Sequence, residues 1–206
     1  MSGRKASGRP APPAAPRAHE VRIIGGAWKR SRLPVADRPG LRPTPDRVRE
    51  TLFNWLASIA GAGGGLLPQW HVLDAFAGTG ALGFEAASRG ATSVLLCEQD
   101  AALVAQLRAV QARLDATAVC VERGDGVTAL QRAVPGSLHL VLLDPPFDRA
   151  DLYASALRAA LPALRPDGLV YLESAEVWDA DRLQPFGLQL ARHLRAGAVH
   201  AHLLRT

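Results

Sequence analysis

Twelve consecutive residues, Val72-Leu73-Asp74-Ala75-Phe76-Ala77-Gly78-Thr79-Gly80-Ala81-Leu82-Gly83, limit what this chain can become. An apolar strand runs into a carboxylate, then a glycine turn, then the start of a helix. Gly78, Gly80 and Gly83 have the spacing of a dinucleotide fingerprint. Glu98 closes the next apolar strand, twenty residues after Gly78, where a ribose-binding acid would stand. A nicotinamide enzyme is therefore one reading. Asp74 argues for another. A dinucleotide site aims helix N-terminal N–H groups at a pyrophosphate, and a carboxylate four residues before the first glycine would repel that anion. It suits a ligand with an ammonium or sulfonium cation. S-adenosylmethionine carries both and has no phosphate.

The pattern beyond this stretch alternates. Strands are expected at 70–76, 92–98, 117–122, 138–143 and 168–173, and helices at 80–89, 100–114, 126–133 and 149–163. Alternation of this kind gives a parallel sheet with right-handed crossovers. After Glu173 the pattern changes: 186–194 and 197–204 read as two strands of an antiparallel hairpin. An α/β fold with a mostly parallel seven-stranded sheet ending in an antiparallel hairpin fits a class I, Rossmann-like methyltransferase better than a dehydrogenase. Its ligand crevice lies at the carboxyl ends of the strands. Asp74, Glu98, Gly124-Asp125-Gly126 and Asp144-Pro145-Pro146-Phe147 all fall there.

Asp144-Pro145-Pro146-Phe147 follows the apolar run Leu140-Val141-Leu142-Leu143. Two prolines fix φ and remove backbone donors. The loop then presents acceptors, the Asp144 carboxylate and the Pro145 carbonyl, beside the Phe147 ring. That combination suits a planar group with an exocyclic amine. Such an amine is a poor nucleophile, because its lone pair is delocalised into the ring. Accepting its N–H bonds raises electron density on nitrogen, and does so more strongly in the transition state than before it. Glu98 suits a grip on two ribose hydroxyls. Asp125 could accept from an adenine amine, although an acid between two glycines is often a turn residue. Phe76 stands beside the glycine turn, where packing alone would also account for it.

Charge is concentrated at one end. Residues 1–49 hold twelve Lys and Arg against three acids, a net of +9, whereas the whole chain is +5. This footprint suits a polyanion such as RNA. Residues 1–19, rich in Pro, Ala, Gly, Ser and Arg, are expected to be a disordered basic tail. Val21–Ile24 and Lys29–Leu33 flank Gly25-Gly26 as a short hairpin whose polar positions are basic: Arg22, Lys29, Arg30 and Arg32. Trp28 is expected to plug this hairpin onto the main domain. Thr44 as N-cap and Pro45 at the first helical position start a helix that runs to about Ile59, with Val48, Leu52, Trp55, Leu56 and Ile59 on its packing face. Arg42, Arg47 and Arg49 lie near its positive dipole end, which suits an external anion or acidic partner, or equally solvation or pairing with Glu50. Gly61 to Gly65 form a joint to a domain spanning 66–206.

Other classes are disfavoured. The two cysteines, Cys97 and Cys120, sit in apolar strand patterns and are expected to be buried; they supply no disulfide framework. The six histidines form no metal pattern, and none is assigned a metal. No apolar run approaches a membrane span, and the N-terminus lacks a signal-peptide core. A cytoplasmic enzyme is the default.

Several segments together resemble one family. They are Arg22-Ile23-Ile24-Gly25-Gly26; Leu41-Arg42-Pro43-Thr44 with Asp46-Arg47-Val48-Arg49-Glu50-Thr51-Leu52-Phe53-Asn54-Trp55-Leu56; the Asp74 to Gly83 stretch; and Asp144 to Phe147. They look like the bacterial RsmD family, and the match spans roughly 21–174. Arg30 stands where many members have glycine, and Pro45 replaces a usual hydroxyl residue. The resemblance implies transfer of one methyl from S-adenosylmethionine to N2 of guanine 966 of 16S rRNA, within 30S particles or their assembly intermediates; separately, a monomer is expected. Asp74, Phe76, Gly78, Gly80, Glu98 and Asp125 would then hold the cofactor. Asp144, Pro145, Pro146 and Phe147 would hold the base, and the basic residues from Arg22 to Arg49 would meet RNA within an N-terminal segment spanning 20–60.

Overall fold

A computed structural model describes residues 20–36, 38, 43–61 and 67–206. The tail 1–19, Arg42 and most of the glycine joint lie outside the described residues. A small antiparallel pair comes first, β1 (Glu20–Arg22) with β2 (Arg32–Pro34), then helix α1 (Asp46–Ala60). The main domain follows as β3 (His71–Asp74), α2 (Ala81–Ser88), β4 (Ser93–Glu98), α3 (Ala101–Arg113), β5 (Val119–Arg123), α4 (Gly126–Arg132), β6 (Leu138–Leu143), α5 (Ala150–Ala163) and β7 (Leu164–Ser174). A short helix α6 (Ala180–Leu183) runs into a 3-10 turn, Gln184–Phe186, before the closing hairpin β8 (Gln189–Ala196) and β9 (Val199–Arg205).

Among the described residues, seven strands form one sheet in the order β5-β4-β3-β6-β7-β9-β8. The first five are parallel, and β9 is antiparallel to both β7 and β8. The order reverses between β3 and β6, so their connections leave in opposite directions and open a crevice above their carboxyl ends.

The central strands are apolar on both faces because helices cover both. Val72, Val94, Leu96, Leu140, Leu142, Tyr171 and Leu203 pack with the N-terminal pair, α1, α2 and α3. Leu73, Val141, Leu143, Val170, Leu172 and Leu204 pack on the other face with α4, α5 and α6. The alternation within each strand is the two-residue repeat of the pleat. On the edge strand β5 the cover is incomplete, and Cys120 is exposed rather than buried as expected; Cys97, on β4, is buried.

The N-terminal segment departs from its expected details. Gly25-Gly26 is not a hairpin apex. It docks on α2: Ile24 N–H and Gly25 N–H donate to the Glu85 carboxylate at 2.6 and 2.8 Å, and Ala27 N–H donates to the Ser88 carbonyl at 2.7 Å. Gly26 has φ +76°, and a Cβ there would lie 1.8 Å from the Ser88 carbonyl oxygen. Trp28 packs against the core as expected, half-buried. In α1 the buried stripe is Val48, Arg49, Leu52, Phe53, Leu56 and Ala57, while Ile59 is 46% exposed. Thr44 does not cap this helix. Pro45 holds the cap position, and the Thr44 hydroxyl is engaged elsewhere.

Candidate active site

Asp74 ends β3 and is 1% exposed. Its Oδ2 accepts from Gly83 N–H at 3.1 Å, and its buried Oδ1 has no hydrogen-bond partner among the described residues. Burial pushes its carboxyl up to about 7, against the pull of backbone N–H groups and with a smaller push from Glu98 and Glu173. An acceptor left empty in the protein interior is costly, so this oxygen fits a cationic or donor group on a ligand. Glu98 ends β4 half-buried, and its two oxygens accept from different loops: Oε2 from Gly78 N–H and Oε1 from Asp100 N–H, each at 2.9 Å. The glycine turn is thereby clipped to the neighbouring strand.

Gly78 and Gly80 have φ of +51° and +77°, a region open to glycine at little cost. Gly83 serves helix packing: a Cβ there would meet Leu96 at 2.1 Å. Phe76 is half-buried and packs on the far core layer, with Leu73 and Leu143. Asp125 is the N-cap of α4. Its Oδ1 accepts from Thr128 N–H at 2.8 Å and from the Thr128 hydroxyl at 2.9 Å, while Oδ2 accepts from Gln99 Nε2 at 2.9 Å. Both oxygens are therefore already committed to fixing this loop. Gln99, directly after Glu98, joins the crevice wall unforeseen.

Across the switch point, Asp144 leaves β6 half-buried, and no donor among the described residues meets its carboxylate. Burial, then the charges of Glu173 and Asp74, hold its carboxyl well above the ordinary carboxylate range. Pro145 is buried, while Pro146 and Phe147 turn outward, with Phe147 42% exposed. An acceptor met by no donor among the described residues and an exposed aromatic ring thus share one four-residue loop.

Glu173 is absent from the sequence-based site, although it ends an apolar strand as Asp74 and Glu98 do. It is 2% exposed. Its Oε1 accepts from the Thr44 hydroxyl at 2.5 Å and from the Tyr171 hydroxyl at 2.7 Å. Burial raises its pKa above the usual value, while those two bonds and the Arg49 charge work in the opposite direction.

The basic residues divide. Arg22, Lys29, Arg30, Arg32 and Arg47 are exposed. Arg32 pairs with Glu20 at 2.8 Å, and Arg22 approaches Asp46 at 3.8 Å. Arg49 is a correction, because its side chain is fully buried. Its Nη2 donates to Asp46 at 2.7 Å, its Nε donates to the Thr44 carbonyl at 3.1 Å, and Nη1 lies 3.7 Å from Glu85. Glu85, fully buried, also accepts from Arg89 Nε at 2.7 Å. Arg49 thus joins α1 and the docked Gly25-Gly26 turn to α2 and does not face solvent. Among the described residues, no group of three or more His, Cys, Asp or Glu could hold a metal ion, and no helix is long and apolar enough to cross a membrane.

Known proteins match this arrangement along nearly its whole length. The family described as "Conserved hypothetical protein 95" matches residues 21–205. Ribosomal RNA small subunit methyltransferase D of Escherichia coli K12 is 42% identical over 182 residues, 87% of each chain. The protein of the same name from Haemophilus influenzae is 36% identical over 188 residues, 89% of this chain and 93% of its own. Among solved structures, the chain named methyltransferase yhhF from E. coli superposes with a TM-score of 0.73 at 36% identity, covering 90% of this chain and 97% of that one. A protein from Thermus thermophilus described as hypothetical gives 0.72 at 26% identity, with 90% and 99% covered. The glycine turn, the strand-end acids and the Asp-Pro-Pro-Phe loop thus stand in a methyltransferase scaffold, and the chain belongs to the RsmD family of small-subunit ribosomal RNA methyltransferases.

Proposed function

We propose that this protein transfers a methyl group from S-adenosylmethionine to N2 of a single guanine of 16S rRNA, the one numbered 966, in the small ribosomal subunit. The observation that carries the chemistry is Asp144: a carboxylate at the switch point, met by no donor among the described residues, with a proline carbonyl after it and an exposed phenylalanine ring close by. An exocyclic amine supplies the donors that this loop lacks. Asp144 and the Pro145 carbonyl accept its N–H bonds, and Phe147 stacks on the base once it is flipped out of its helix. When bound, S-adenosylmethionine supplies an electrophilic methyl on a sulfonium. The Oδ1 of Asp74, met by no donor among the described residues, suits its cationic end, and Glu98 suits its ribose hydroxyls. Asp125 and Gln99 frame the loop beside them.

The choice of RNA rests on two supports. The relatives matched over most of the chain are named ribosomal RNA methyltransferases. Arg22, Lys29, Arg30, Arg32 and Arg47 also leave a basic N-terminal surface, which attracts phosphate irrespective of sequence. Adenine N6 in DNA or RNA is the rival within the same chemistry.

Labelled S-adenosylmethionine offered with 30S particles from a strain lacking the activity, naked 16S rRNA and duplex DNA separates these readings. Label on the rRNA of particles, at one guanine N2, is the expected result. Label on DNA adenine would keep the role of Asp144 and overturn the substrate.

A further inference from the structure

We infer that Glu173 is a base-selecting residue: its free carboxylate oxygen accepts N1–H of the target guanine while Asp144 accepts from the 2-amine. This inference rests on the guanine-N2 reading above.

Strand register places the two acids together. Asp74 is level with Leu142, Leu142 with Tyr171, and Leu143 with Leu172. β6 ends at Leu143 and its pairing with β7 ends at Leu172, so Asp144 and Glu173 are the next residue on each side of that last pair. Alternation puts Asp74, Leu142 and Tyr171 in one row on one face and Glu173 in the next row of that face, while Asp144 follows Leu142 by two residues just past the end of β6. Their proximity is felt electrostatically, since Glu173 is the foremost charge acting on Asp144. Both hydroxyls reaching Glu173 donate to the same oxygen, Oε1. Among the described residues no donor meets Oε2. A side chain 2% exposed is thus fixed by one oxygen, with the other left as an acceptor one strand from the amine-gripping acid.

The edge of guanine matches such a pair. Its 2-amine lies next to N1–H, so the edge offers donors to two adjacent acceptors. In adenine and cytosine the ring nitrogen beside the exocyclic amine is itself an acceptor. It would set a lone pair against the Glu173 acceptor oxygen, so the hydrogen bond that guanine N1–H supplies is lost. Asp144 alone cannot make this distinction, because all three bases carry the amine.

The test uses particles reconstituted with either guanine or 2-aminopurine at the methylated position. 2-Aminopurine keeps the 2-amine and lacks N1–H. Wild type should favour guanine by about 10- to 100-fold in kcat/KM, the worth of one hydrogen bond to a charged acceptor. In Glu173→Gln the two hydroxyls hold the amide oxygen in the Oε1 position and place NH2 where Oε2 stood. That donor opposes guanine N1–H and suits the bare N1 of 2-aminopurine, so the preference should vanish or reverse while donor affinity by calorimetry is kept. Equal rates of wild type on both particles, or an equal fall on both in Glu173→Gln, would overturn the inference and leave a structural acid. Should that variant not fold, Tyr171→Phe removes one donor to Oε1; a preference reduced severalfold supports the placement, and an unchanged one overturns it. Failure of wild type to label even the guanine particle, with donor bound, overturns the guanine-N2 reading and this inference with it.

Discussion

The proposed contact of Asp74 with the cationic donor predicts a pH dependence of donor binding. The Asp74 carboxyl is raised to about 7 by burial, and Oδ1 has no partner among the described residues. Without ligand the folded protein therefore keeps this group largely protonated at pH 5.5, with about 3% ionised, and about half ionised at pH 7. A cationic ligand prefers the ionised form. Its affinity should rise roughly fifteenfold between these two pH values, about 1.6 kcal/mol. The donor's own α-amine, with a pKa of about 7.7–8.0, stays charged over most of this window. Asp74→Asn keeps the shape and removes the titration. It should weaken S-adenosylmethionine binding by about 10- to 100-fold at pH 7 and abolish this part of the pH slope. Isothermal calorimetry at pH 5.5, 6.2 and 7.0 on both proteins reads the difference and cancels contributions from other groups. Parallel slopes for wild type and Asp74→Asn would refute the reasoning. The same shift has a sign for stability. A carboxyl with a raised folded pKa favours folding most below its unfolded value near 3.8 and loses that advantage as pH climbs to about 7. Unliganded Asp74→Asn should therefore lose less stability than wild type over that rise.

Two further outcomes follow from the N-terminal segment. Arg30 has φ +73°, a conformation that costs a non-glycine residue roughly 1 kcal/mol; Arg30→Gly should raise stability to urea by up to about that amount, and no gain would show that the arginine makes compensating contacts. Glu85 is fully buried between Arg89 and Arg49 and accepts two backbone N–H bonds from the docked turn. Glu85→Ala leaves buried cations uncompensated and should cost about 3–5 kcal/mol in chemical denaturation, with the turn at Gly25-Gly26 the first region to lose hydrogen-exchange protection.

The residues that could be read from sequence are those whose environment is local. Asp74, Glu98 and Asp144 each terminate an apolar strand, and a strand end in an alternating α/β pattern already fixes which side of the sheet they reach. The glycine turn was legible for the same reason, although Gly83 proves to serve packing against Leu96. What escaped depends on distant partners. Thr44 reads as a helix cap because Pro45 and Asp46 follow it, but its acceptor, Glu173, is 129 residues away. Arg49 reads as a surface cation because nothing nearby predicts Glu85 beneath it. Asp125 lies between the two cases. Its position after β5 was evident, and its commitment to Thr128 and Gln99 was not. The short helix α6 has only Asp179 as a start signal, accepting from Arg182 N–H, and four residues are too few for a hydrophobic period.

The central claim is that Asp144 grips the amine that is methylated. The most direct measurement is single-turnover methyl transfer to 30S particles by wild type and by Asp144→Ala, with the rRNA digested to nucleosides and donor affinity measured in parallel. The account predicts N2-methylguanosine from wild type, a loss of at least about 100-fold in the variant, and donor affinity within a few-fold of wild type. Transfer by Asp144→Ala at a near-normal rate would contradict it.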